Sequence, residues 1–219
     1  LIDIYFTSNL QQDHLYLNLG DLKFKNITAS SGITNRDGWT TGVTTVDINN
    51  DGYLDIYISK VSGHLNLKGS NKLYINQGLT DGVPTFKEEA STYQLNIDGL
   101  NTQTAFFDYD LDGDLDAYIL SHSLYPNAYF GRGSQRETRD TINGDRLLEN
   151  RNGVFYNASA KANIYASKIG YGLGISISDI NNDTLIDDSS DEDWSNLFIQ
   201  SPLASNLSVN DLHKLLTRL

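Results

Sequence analysis

Three stretches of this chain carry oxygen-bearing side chains at one spacing. Asp47, Asn49, Asp51 and Asp55 stand at positions 1, 3, 5 and 9 of DINNDGYLD. Asp108, Asp110, Asp112 and Asp116 hold the same positions in DYDLDGDLD, and Asp179, Asn181, Asp183 and Asp187 hold them in DINNDTLID. Such a set is suited to a hard divalent cation. Calcium takes six to eight oxygens at about 2.3–2.6 Å, and a short loop can wrap positions 1, 3 and 5 inward. Position 7, occupied by Tyr53, Asp114 and Leu185, can add a backbone carbonyl, and position 9 returns a carboxylate from the start of the next strand. Gly52 and Gly113 at position 6 supply the positive φ that such a turn favours. The loop is not an EF-hand, which needs a bidentate acid at position 12 and a following helix. Here position 12 is Ile58 or Ile119, each expected inside a strand that buries one face.

A simpler alternative is available. Asp-Gly and Asn-Gly make ordinary hairpin turns without metal. The repetition, with the extra acid at position 9 each time, favours the cation. The third loop is expected to be the weakest site, because Thr184 replaces the glycine and a β-branched residue resists positive φ.

The elements around the loops repeat as well. Before them lie GWTTGVTTVD, LNTQTAFFD and IGYGLGISISD; after them lie HLYLNLGDLKFKNIT, NKLYINQGLTDGVPTFKEE and DRLLENRNGVFYNAS. The latter read as hairpins whose second strand holds Phe24, Phe86 or Phe155. The opening LIDIYFTSN matches YLDIYISK, with Asp3 in the place of Asp55, as if the chain begins just inside a further loop. Each unit then has four short strands: one before the loop, one after it, and the hairpin. Four strands in 50 to 70 residues is the arithmetic of a propeller blade. The expected fold is all-β: a partial β-propeller of about three to three and a half four-stranded blades. Its expected span is 1–187, in units of about 1–38, 39–98, 99–168 and 169–200. A β-sandwich with coincidental loops is the competing architecture.

The motif D-x-[DN]-x-D-G-x-x-D and its flanks resemble FG-GAP-like (VCBS-type) repeats, the calcium-loop β-propellers also seen in integrin α heads. TAFFDYDLDGDLDAYILSHS and GYGLGISISDINND look most like bacterial relatives of cartilage acidic protein. The resemblance covers about residues 1–187, although the literal Phe-Gly and Gly-Ala-Pro words are absent from the loops and their flanking strands. It implies a secreted, cell-surface or periplasmic propeller that binds Ca2+ structurally and serves adhesion or the binding of protein or carbohydrate.

The bulk composition bounds the partners. With 28 acidic against 16 basic residues the formal charge is −12, which disfavours nucleic acid and anionic membranes. No cysteine is present, so neither disulfides nor thiolate metal sites are available. No apolar run approaches the roughly 20 residues of a membrane span. Methionine is absent even at position 1, which suggests a processed chain or a fragment.

Other features stand apart from the loops. The segment 188–219 breaks the pattern: acidic around Asp191, Glu192 and Asp193, then an amphipathic helix with Ser208 as N-cap and Leu212, Leu215, Leu216 and Leu219 on one face. An insertion at 125–146 gathers Arg132, Arg136, Arg139 and Arg146, either a binding loop for an acidic ligand or a solvated surface loop. His14, His64, His122 and His213 show no metal spacing, although His64 and His122 each follow a post-loop strand. No nucleophile elbow, phosphate loop or Ser–His–Asp order is present. The expected function is therefore a non-enzymatic, calcium-stabilised binding or adhesion module. A polysaccharide lyase or glycosidase on a propeller, or a purely structural assembly module, are the alternatives; oligomeric state is not read from the sequence.

Overall fold

The structure is a computed structural model that describes residues 1–123, 138–168 and 170–177, with strand 198–199 traced in its backbone. The third acidic loop (Asp179, Asn181, Asp183, Leu185, Asp187, with Thr184), Asp191–Asp193, Arg132, Arg136 and the expected helix at 208–219 lie outside the described residues.

Strands come in consecutive antiparallel sets. β1 (Ile4–Phe6), β2 (His14–Gly20) and β3 (Lys23–Asn26) form a three-stranded sheet in chain order. β4 (Trp39–Val46), β5 (Asp55–Val61), β6 (Lys72–Thr80) and β7 (Val83–Glu88) form the second sheet. A single helical turn, α1 (Ala90–Tyr93), leads to the third: β8 (Asn101–Phe107), β9 (Asp116–Ser121), β10 (Arg146–Arg151) and β11 (Val154–Asn157). β12 (Ile175–Ser176) pairs with β13 (Phe198–Ile199), in the register Ile175 opposite Ile199. The chain is all-β, and the acidic loops are the β4–β5 and β8–β9 connections. Among the described residues no helix is long and apolar enough to cross a membrane.

The strands after the loops differ from the one-sided burial expected of them. Asp55 to Lys60 and Asp116 to Ser121 are buried at every position. The reason is stacking on both faces. Ile56 and Ile58 pack with Leu15 of β2 and with Ile27 and Ile33 of the connection after β3, while Tyr57 packs with Ala117, Ile119 and Leu148 of the third sheet. One strand on, Tyr118 and Leu120 face Ala158, Ala162 and Ile164. A sheet covered on both faces calls for apolar residues at successive positions, not at alternate ones.

Neighbouring sheets are also tied by hydrogen bonds that recur at equivalent positions. The Thr41 hydroxyl bonds to the Ser59 carbonyl at 3.0 Å and to the Asn101 carbonyl of the next sheet at 2.6 Å. Thr102 repeats this with the carbonyls of Leu120 at 3.1 Å and Gly172 at 2.9 Å. Bridges Asn9–Trp39, Val61–Leu100 and His122–Tyr171 join the end of each post-loop strand to the next unit. At this junction β4 lies so close to β8 that a Cβ on Gly42 would fall 2.5 Å from both the Thr102 carbonyl oxygen and Gln103 Oε1.

Gly42→Ala should therefore push the two sheets apart and lower the unfolding free energy by about 1–3 kcal/mol, the usual cost of overpacking. Urea denaturation checks this; an unchanged midpoint would show that the junction yields freely.

Candidate metal centre

Both described loops are built on the same backbone scaffold. The position-1 carboxylate caps the turn: Asp47 accepts the N–H groups of Asp51 (3.0 Å) and Gly52 (2.9 Å). Asp108 accepts those of Asp112 (3.1 Å) and Gly113 (3.0 Å). Position 5 accepts the N–H two residues on, Asp51 from Tyr53 at 2.8 Å and Asp112 from Asp114 at 3.1 Å. Gly52 (φ 86°) and Gly113 (φ 94°) adopt the positive φ expected of them. Position 4 is left-handed too, with Asn50 at φ 57° and Leu111 at φ 59°. Asn tolerates that region; Leu does so only under strain.

Position 9 holds the loop to the sheet. Asp55 is fully buried and accepts the N–H groups of Ile48 (3.1 Å) and Asn76 (2.7 Å). Asp116, equally buried, accepts those of Tyr109 (2.9 Å) and Asn150 (2.7 Å). Asp3 takes the same bond from Asn18 at 2.8 Å, so the opening residues do match the strand after a loop. The asparagines complete a clamp that sequence reasoning missed. Asn18, Asn76 and Asn150 each donate their side-chain amide to the carbonyl just before the aspartate, at Ile2, Leu54 and Leu115. Each also turns its oxygen onto a glycine N–H, at Gly20, Gly78 or Gly153. The signal was present in LNLG, INQG and ENRNG.

The two loops diverge at position 3. In the first, the Asn49 amide donates to Asp51 at 2.9 Å and its oxygen accepts the Asp51 N–H at 3.2 Å. In the second, oxygens of Asp108, Asp110 and Asp116 all lie within 4.8 Å of one another. Among the described residues no other trio of acidic or imidazole groups comes so close, so Asp47, Asp51 and Asp55 are less tightly gathered. Asp110 Oδ1 and Asp114 Oδ1 are buried without a hydrogen-bond partner. Buried acceptors without donors are costly, and a cation is one way to satisfy them. Electrostatics point the same way. Burial, with the charges of Asp110 and Asp114 adding to it, pushes Asp116 up to about 7 despite its two backbone donors. Burial and the neighbouring aspartates also raise Asp110 and Asp114. The residues of the Asp108–Asp116 loop thus fit a hard divalent cation.

Other candidate residues fall elsewhere. Arg146 is not an exposed binding charge. It starts β10, is 8 % exposed, and its guanidinium donates to the carbonyls of Asp98 (3.2 Å), Thr141 (3.1 Å) and Ile142. The arginine composition of the insertion could not show this, because Arg146 belongs to the following strand. His122 packs edge-on against Tyr171 with ring centroids 4.9 Å apart.

Two outcomes test the loop chemistry. A carboxylate raised to about 7 when folded is ionised above about pH 4 when unfolded, so its charge destabilises the fold increasingly between those values. Cation-free protein should lose stability from pH 5 to pH 8, while the gain on adding calcium should grow over the same range as the proton ceases to compete. Melting curves with chelator and with calcium check this, and a gain independent of pH would contradict it. Leu111→Asn should relieve about 1 kcal/mol of left-handed strain, raising the melting temperature without loss of cation binding; an unchanged melting temperature would show that the turn is unstrained.

Comparison with known proteins bears on the first part of the chain. The family model for the FG-GAP-like repeat matches residues 1–58, which span β1 to the first half of β5 and include the Asp47–Asp55 loop. No curated protein matches the chain. The chain therefore contains an FG-GAP-like repeat over residues 1–58.

Proposed function

We propose that the chain is part of a calcium-stabilised β-propeller that works outside the cytoplasm as a binding or adhesion module, not as an enzyme. The observation that carries the calcium reading is the convergence of Asp108, Asp110 and Asp116 within 4.8 Å, beside the orphaned Asp110 and Asp114 oxygens. Asp108, Asp110, Asp112 and Asp116 would hold the ion, with the Asp114 carbonyl; Asp47, Asn49, Asp51, Asp55 and the Tyr53 carbonyl would form a second site. A bound divalent cation would neutralise these charges and fasten the turn between two strands.

The propeller reading is supported by consecutive four-stranded meanders that stack face to face and repeat the same inter-sheet bonds. The non-enzymatic reading is supported by how the acids outside the loops are used. Glu149 is held at about 2 by its bond to Arg151 (2.7 Å) and by Lys161 (3.2 Å). Asp145 accepts the Ser121 N–H at 2.8 Å and the Tyr118 hydroxyl at 3.2 Å. Glu149, held ionised by these two cations, is poorly placed for proton transfer. The FG-GAP-like repeat, a type typical of extracellular proteins, supports the location.

Chelator-treated protein titrated with calcium should release heat at the Asp108–Asp116 loop first, with magnesium binding more weakly because it demands near-octahedral geometry and retains its waters. Calcium a hundredfold above its Kd should add about 2.7 kcal/mol of stability per site. Asp112→Ala should remove the tighter site. A calorimetric trace without heat, or a melting temperature indifferent to EDTA, would sink the reading.

A further inference from the structure

The junction between the first two sheets encloses a lysine. Lys60 lies near the end of β5 and is the one buried lysine among the described residues. The repeats make it an exception. The Lys60 N–H bonds to Asn71 as those of Ser8 and Ser121 bond to Asp13 and Asp145, so serine fills this position in the other two sheets. Its partner is an exception too. The bond from the Asp13 N–H to the Asn35 carbonyl (3.1 Å) recurs as that from the Asn71 N–H to the Ile97 carbonyl (3.0 Å), which sets Asn35 where the next unit has Ile97. Burying an ammonium and a carboxamide where a hydroxyl and an alkyl group suffice is costly.

The two side chains meet end to end. Lys60 Nζ donates to Asn35 Oδ1 at 2.7 Å, and also to the Asp37 carbonyl. Asn35 Nδ2 donates to Asp13 Oδ2 at 2.5 Å and to the Thr40 hydroxyl at 2.9 Å, while Thr40 donates to the same Asp13 oxygen at 3.0 Å. Asp13 is held from behind by the Ser8 N–H (2.7 Å) and the Tyr5 hydroxyl (3.1 Å). Lys60, Asn35, Asp13 and Thr40 are all buried. Two glycines close the lysine end: a Cβ on Gly38 would lie 3.3 Å from Lys60 Cε, and one on Gly69 would lie 3.3 Å from Nζ. Burial lowers the pKa of the Lys60 ammonium, and the charge of Asp37 opposes it less strongly. A buried lysine that sheds its proton is a nucleophile.

We propose that Lys60 and Asn35 react to form an amide bond that fastens the β3–β4 connection to β5, with Asp13 as the catalytic carboxylate. The Lys60 ammonium first loses one proton to solvent by way of Asp37, whose half-exposed carboxylate lies 3.3 Å away. The free amine then adds to Asn35 Cγ. Asp13 takes a proton from the attacking nitrogen and returns it to Nδ2. The Cγ–Nδ2 bond breaks, the Cγ–Nζ bond remains, and ammonia leaves to collect the first proton as ammonium. An ammonium side chain and a carboxamide thus become a secondary amide and free ammonium, with no oxidant, metal or cofactor. Enclosure supplies the rate, because the reacting groups are already in contact. In a chain without cysteine the bond would join residues 25 apart in sequence and would remove the buried charge.

The test is the mass of the denatured chain and its tryptic map. The mass should fall short of the sequence by one ammonia. Trypsin should spare Lys60 and release a branched peptide joining 26–36 to 37–68. Separate peptides 26–36 and 37–60 from a chain of full mass would overturn the proposal. A missing ammonia without the branched peptide would mark a cyclised asparagine elsewhere and overturn it equally. This map decides the bond whether or not any variant folds. Lys60→Arg and Asn35→Ala should each show the full mass of their own sequence. Asp13→Asn, its fold followed by circular dichroism, should do the same; a linked Asp13→Asn chain would overturn the role of the carboxylate.

Discussion

Much of this fold depends on aspartates buried at the start of the strand that follows each acidic loop. Asp55 and Asp116 each accept two backbone N–H groups, one from the loop and one from the third strand of the sheet. One side chain thereby fixes the loop, the second strand and the third strand together. A buried carboxylate is expensive unless it is bonded or neutralised. Burial raises the proton affinity of Asp55 as well as that of Asp116, so in both the two N–H donors fall short of full compensation. The neighbouring aspartates worsen the deficit. At about 4 Å each like-charge pair costs on the order of 1 kcal/mol even in water-like surroundings. A cation in the loop would remove both penalties, which is why folding and cation binding are expected to be linked.

A second clamp closes the other end of the same strands. Tyr5, Tyr57 and Tyr118 each meet a polar side chain placed just before β2, β6 or β10, at Asp13, Asn71 and Asp145. The same three side chains accept the backbone N–H of Ser8, Lys60 and Ser121. Where Asn71 stands, the buried neighbour is Lys60, whose ammonium bonds to Asn35 at 2.7 Å and to Asp37 at 3.3 Å. Each post-loop strand thus has a carboxylate clamp at one end and a tyrosine clamp at the other, with apolar side chains between them facing both neighbouring sheets.

This anatomy explains what could be read from the residues alone. Loop spacing, the flanking strands and the hairpins are local patterns, so DINNDGYLD and DYDLDGDLD lead directly to the β4–β5 and β8–β9 turns. The match of Asp3 with Asp55 was legible for the same reason. Burial of β5 on both faces was not, because it depends on which sheets stack against it. The Asn18, Asn76 and Asn150 clamp escaped notice because its partner lies 15 to 34 residues away and an asparagine before a glycine reads as an ordinary turn. Arg146 was misplaced because charge content describes a segment, whereas its carbonyl partners are set by a strand start. The difference between Asn49, locked to its neighbour, and Asp110, unpartnered, is a matter of side-chain orientation that composition cannot express.

The two clamps also assign the two ends of each sheet different work. At the loop end the chain presents little but carboxylates and tight turns, and the groups that converge there suit an ion of fixed preference for oxygen. At the opposite end the connections are longer, and the segment 94–99 carries a single charge, Asp98, and is held in place because its backbone is bonded to Tyr57, Asn71 and Asn101. Backbone bonds rather than side-chain pairs hold this segment in place. Calcium at one end would then reach the other only through the stability of β8 and β9, which join them.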